Sequence, residues 1–163
     1  MLVHEGPSAQ EAQLLGVRED DELMMARGTM GPGEPNAPNT LDGCADGTSG
    51  TFHSDESNDA LKVHTVSGNT FAGGEEVMIT ATVYAWSDGS ADMADFYYTA
   101  DATNPNWAYI TSVMPPSGGQ QNLTANYTLP AGELQAVRVN FRYGGTNKTC
   151  STGAYDDTDD LAF

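Results

Sequence analysis

Cations are scarce in this sequence. Among 163 residues there are 6 Lys and Arg against 23 Asp and Glu, a formal net charge of −17. Clustered Lys and Arg are what displace counterions from a nucleic-acid backbone and what anionic lipid attracts, so neither surface is an expected partner. Long apolar runs are missing too, and nothing approaches the roughly 20 residues that a membrane-crossing helix requires. Histidine is limited to His4, His53 and His64, and cysteine to Cys44 and Cys150. The sequence contains no HExxH, no two His at i,i+4, no CxxC, no GxSxG elbow and no phosphate loop with its lysine. Zinc hydrolysis, thiol redox chemistry and serine-nucleophile chemistry therefore lack sequence support. Carboxylate pairs for glycoside hydrolysis can always be chosen from 23 acids, so choosing them carries no information. The expectation is a chain that is not an enzyme.

A secretory leader would open with Lys or Arg and continue into roughly 7–15 apolar residues. Here Met1-Leu2-Val3 runs into His4-Glu5-Gly6-Pro7. Two readings follow: a cytoplasmic chain, or one whose leader lies upstream of residue 1. Three sequons favour the second, Asn122-Leu-Thr124, Asn126-Tyr-Thr128 and Asn147-Lys-Thr149, with Asn122, Asn126 and Asn147 as the expected glycosylation sites. Two Cys far apart with no CxxC also fit an oxidising compartment. The expected location is extracellular or at the cell surface.

Residues 1–40 differ from the rest. They hold four of the seven Met, no aromatic residue, and the run Gly28-Thr-Met-Gly-Pro-Gly-Glu-Pro-Asn-Ala-Pro38. Ser8 with Glu11 reads as a capping box, and Leu14, Leu15, Val17 and Leu23 supply a ragged apolar face, so one short helix is expected over 8–25. Beyond it the Pro and Gly spacing implies extended linker. From Leu41 the pattern becomes the two-residue alternation of half-buried strands. In Val77–Trp86 the residues Val77, Ile79, Ala81, Val83 and Ala85 share one side, and in Leu134–Tyr143 so do Val137, Val139, Phe141 and Tyr143. In Gln120–Thr128, Leu123, Ala125 and Tyr127 point inward and leave Asn122 and Asn126 outward. Further strands are expected near Thr51–His53, Leu61–Val66, Ala94–Ala100, Trp107–Val113 and Asp160–Phe163, with Gly- and Asn-bearing turns between them. About eight strands with no helix among them predict an all-β antiparallel sandwich over 41–163. The lack of a Cys–Trp–Cys spacing favours a jelly roll over an immunoglobulin topology.

Cys44 precedes the first expected strand and Cys150 follows the seventh, so a disulfide between them would tie the entry of the domain to its end. The densest chemistry is acidic. Asp55 and Glu56 lie near the first strand, and Asp157, Asp159 and Asp160 near the last. In a jelly roll those strands lie side by side, and converging carboxylates are what Ca²⁺ takes: six to eight oxygens at about 2.3–2.6 Å. The five residues are the candidate Ca²⁺ ligands. No EF-hand spacing occurs. Trp86, Trp107, Tyr97, Tyr98, Tyr109 and Tyr155 would form a sugar-stacking platform if several shared an exposed face, whereas such residues more often fill a core or its edge.

Cys44-Ala-Asp-Gly-Thr-Ser-Gly-Thr-Phe-His-Ser-Asp-Glu-Ser57, Leu129-Pro-Ala-Gly-Glu-Leu-Gln-Ala-Val-Arg138, Phe141-Arg-Tyr-Gly-Gly145 and Tyr155-Asp-Asp-Thr-Asp-Asp-Leu161 resemble a β-sandwich accessory module. Such modules sit at the C-terminal end of secreted bacterial peptidases. The resemblance spans 41–163, covers no catalytic domain, and implies secretion and a non-catalytic role. Two functional expectations follow. The first is an extracellular structural, filament or adhesive subunit that self-associates when the N-terminal arm adds to a neighbour's open sheet edge. The second is an accessory module that binds polysaccharide or protein substrate.

Overall fold

The computed structural model describes residues 40–151 and 153–163. The arm, including the helix expected over 8–25, lies outside the described residues. Seven strands form: β1 (Ser57–Thr65), β2 (Glu76–Ala85), β3 (Asp92–Thr99), β4 (Ala108–Val113), β5 (Gly119–Thr128), β6 (Ala136–Tyr143) and β7 (Asp157–Ala162). They make two antiparallel sheets, a three-stranded β1-β2-β5 and a four-stranded β4-β3-β6-β7. The expected all-β sandwich is what forms.

Two finer expectations are corrected. The stretch Thr51–His53 makes a single bridge, Thr51 to Asp55, in place of a strand. Three residues that include a left-handed His53 (φ 54°) cannot continue a ladder. The connectivity also departs from a jelly roll. β1 and β7 lie in different sheets, and the order 1-2-5 against 4-3-6-7 is immunoglobulin-like. The Cys–Trp–Cys spacing was a poor discriminator because the disulfide here joins two loops rather than two sheets: Cys44 pairs with Cys150 across a sequence separation of 106.

The core follows the alternation. Val77, Ile79, Ala81 and Val83 of β2 meet Phe96 of β3 and Val137, Val139 and Phe141 of β6. Burying side chains of this size contributes about 1.5–3 kcal/mol each. β6 is buried on both faces except at Tyr143. Its outer face carries Arg138, Asn140 and Arg142, and the following loop folds back over it. Arg138 donates to Thr149 O at 2.7 Å, Asn140 Nδ2 to Ser151 Oγ at 2.8 Å, and Arg142 to Gly145 O at 3.1 Å. That cover turns a polar face into buried surface with its donors satisfied.

β7 is the anomaly. All six residues of Asp157–Ala162 are buried, although three are Asp. Register explains where each points. Asp157, Asp159 and Leu161 pair with Phe141, Val139 and Val137 and face between the sheets, while Asp160 pairs with Arg138 on the outer face. The turn that leads into β7 is held by the segment that follows Cys44. Gly47 N–H donates to Asp156 O at 2.7 Å and Ser49 N–H to Ala154 O at 2.8 Å. A Cβ at Gly47 would lie 2.2 Å from Ala154 O, so only glycine allows this strap to close on the turn before β7.

Candidate functional site

The five acids expected to form one group are divided among three places. Asp160 belongs to an ion-paired network on the outer face of β6. Arg138, fully buried, donates to it through Nε at 2.7 Å and Nη2 at 2.8 Å, and also reaches Asp42. Trp107 caps the guanidinium, with Arg138 Cζ 4.3 Å from the ring centroid. Asp160 is therefore a structural counter-ion, removed from the ligand set by the alternation of its strand.

Asp55 and Glu56 join Asp92, the first residue of β3, at one end of the sandwich. Glu56 is held at φ 34°, left-handed backbone for a non-glycine residue, and is only 3% exposed. Burial first, then contact with the carboxyls of Asp55 and Asp92, pushes its pKa up to about 8. Protonated Glu56 donates to Asp92, and burial pushes Asp92 up to about 6 against the opposing hydrogen bond from Trp86 N–H at 3.2 Å. Asp92 Oδ1 is buried without a partner.

Aromatic rings stand beside these acids. Asp55, Glu56, Trp86, Tyr143 and Tyr155 line an open pocket of about 260 Å³. Trp86 is 56% exposed and Tyr143 53%, and Tyr143 meets Tyr155 edge to face at 5.9 Å. Of the six aromatics considered as a stacking platform, Trp86 and Tyr155 reach this pocket. Tyr98 instead stacks on Tyr127 at 4.7 Å, Tyr97 packs on Tyr109, and Trp107 covers Arg138. Tyr143 escaped the sequence reading because alternation placed it with the core residues of β6, whereas it lies beyond the end of the core. A larger pocket of about 440 Å³, lined by Ala100, Asp101, Thr103, Gly132, Glu133 and Leu134, presents no aromatic face.

Asp157 and Asp159 lie together, and Asp157 meets Asp46 and Asn58. Burial, then the charges of Asp159 and Asp46, raises the pKa of Asp157 well above the usual carboxylate range. Among the described residues, no three His, Cys, Asp or Glu side chains are spaced as ligands of one ion.

His53 and Ser57 do not make a hydrolytic triad. Ser57 Oγ donates to Asp59 Oδ1, and His53 Nδ1 is shared with Asp59 Oδ2, so the carboxylate stands between hydroxyl and imidazole. Asn122, Asn126 and Asn147 are all exposed. Among the described residues no helix is long and apolar enough to cross a membrane. Compared with known proteins, the chain matches no family model and no curated protein.

Proposed function

We propose that the chain is a non-catalytic, extracellular contact module that binds a polyhydroxylated ligand of the polysaccharide class at the acid-aromatic pocket. One observation carries this reading: exposed Trp86 and Tyr143 line a single pocket with Tyr155, Asp55 and Glu56. Aromatic faces give a sugar ring an apolar surface, and carboxyl oxygens accept hydrogen bonds from its hydroxyls. The disulfide, the exposed sequon asparagines and the resemblance to peptidase accessory modules support the extracellular part. Self-association through residues 1–40 is a second reading. What supports it is that, among the described residues, β5 pairs with β2 alone, and an unpaired edge can accept an added strand.

Pull-down on insoluble polysaccharides with the full chain tests the pocket. Retention on at least one polymer is expected, with Trp86→Ala losing about 2 kcal/mol, roughly thirtyfold in Kd. Tyr155→Ala should weaken retention in the same direction. Failure of the unmutated chain to bind any polymer, or unchanged retention of both variants, overturns the reading.

A further inference from the structure

Where the strap, β1 and β7 meet, three buried side-chain oxygens, Asp46 Oδ2, Asn58 Oδ1 and Asp157 Oδ1, accept from no amide or hydroxyl donor among the described residues. Asp157 is 2% exposed; its Oδ2 accepts from Asn58 N–H at 2.6 Å, and its Oδ1 has no partner. Asp46 is delivered by the strap. Its Oδ1 accepts from Thr158 N–H at 2.9 Å, while its Oδ2 has no partner and its carboxyl group faces that of Asp157. Asn58 is also 2% exposed. Its Nδ2 donates to Val139 O at 3.3 Å, which holds the amide over the part of the β6–β7 ladder from which Asp157 and Asp159 project. Its Oδ1 is unpartnered as well.

Two facing carboxylates and a buried amide oxygen need positive charge or hydrogen-bond donors. A proton on Asp157 would satisfy its contact with Asp46 and leave Asn58 Oδ1 bare. The donor set is all oxygen, with no nitrogen or sulfur, which selects a hard cation. Its members come from three separate segments, and that suits the adaptable shell of Ca²⁺ better than the near-ideal octahedron of Mg²⁺. We propose that Asp46, Asn58 and Asp157 bind one Ca²⁺, with water or backbone carbonyls completing the shell and the charge of Asp159 adding to its field. The ion would join the strap to β1 of one sheet and β7 of the other, and so clamp this end of the sandwich. The site is separate from the polysaccharide pocket and does not depend on that reading.

Calorimetric titration of EGTA-stripped full chain with CaCl₂ and with MgCl₂, paired with melting curves, tests the site. Ca²⁺ is expected to bind and to raise the melting midpoint by several degrees, with Mg²⁺ clearly weaker. Asp157→Asn keeps the shape and places an amide donor towards Asp46. It should melt at or above the stripped unmutated protein and should lose the Ca²⁺ response. Asp101→Asn, at the opposite end of the sandwich, should keep that response. Absence of a Ca²⁺ response in the unmutated chain, an equal response to Mg²⁺, an undiminished response in Asp157→Asn, or its loss in Asp101→Asn each overturns the assignment.

Discussion

Glu56 combines a left-handed backbone, almost complete burial and two carboxyl neighbours, so its protonation is tied to folding. Its folded pKa of about 8 lies above the ordinary 4.5, which means that the folded state holds the proton across that interval. The associated stability is present below about pH 4.5 and is lost as pH rises through about 8. Glu56→Gln keeps a donor towards Asp92 without the titration. Melting midpoints from pH 4 to 9 should therefore run nearly together at the acid end and diverge at the alkaline end, the variant being the more stable. Parallel profiles would show that Glu56 does not titrate in this window. At this scale the sequence showed acid clustering but not the partners. Asp55, Glu56, Asp157 and Asp159 stand out because acids neighbour one another along the chain. Asp46, Asn58 and Asp92 reach them only through strand pairing and the strap, which local sequence does not encode. Asp160 was the avoidable error, since adjacent residues of a strand face opposite sides and Asp159 and Asp160 cannot share a site.

Strands with one solvated face were legible as elements. β2 and β5 carry clean alternation, and both matched the expected inward residues to within a position at the ends. β6 and β7 were legible only as strands. Their outer sides are buried by loops that close from elsewhere in the chain, so Arg138, Arg142 and Asp160 sit where alternation alone predicts solvent, while Asp157 and Asp159 take core-facing positions that alternation assigns to apolar residues. The strap around Cys44 is one such cover, and the disulfide anchors it: Cys44 is 4% exposed, and its bond to Cys150 closes a loop of sequence separation 106. Releasing it frees both ends of that loop in the unfolded chain. For a loop of this length the chain-entropy model gives about 4.7 kcal/mol, with measured losses of native disulfides at about 2–5 kcal/mol. The double variant Cys44→Ser, Cys150→Ser should lose stability within that range in urea denaturation, compared at equal Ca²⁺. A loss below about 1 kcal/mol would mean that the strap is held by its hydrogen bonds to Asp156 and Ala154 without help from the covalent link.

At the scale of the molecule, the sandwich class was readable from strand number and turn spacing, while the connectivity was not. Pairings such as β2 with β5 and β3 with β6 join segments far apart in the chain, and alternation is the same whichever strand lies alongside. The acidic excess was readable, and the fold sharpens it. Residues 41–163 hold 16 acids against Lys62, Arg138, Arg142 and Lys148. Both arginines are buried in ion pairs with Asp160 and Asp95, which leaves two lysines to offset the remaining acids of the sandwich. Such a surface repels itself in the compact state, and salt screens that repulsion. The Debye length shortens from roughly 30 Å at about 0.01 M to roughly 8 Å at about 0.15 M. In EGTA, with no divalent ion present, the melting midpoint should therefore rise over that range of NaCl. A cation acting at one site saturates at low concentration, whereas screening continues to grow with ionic strength and is the same for sodium and choline chloride. A midpoint that stays flat, or one that rises with NaCl but not with choline chloride, would place the salt effect in a binding site and leave net self-repulsion with no measurable part in the stability of this fold.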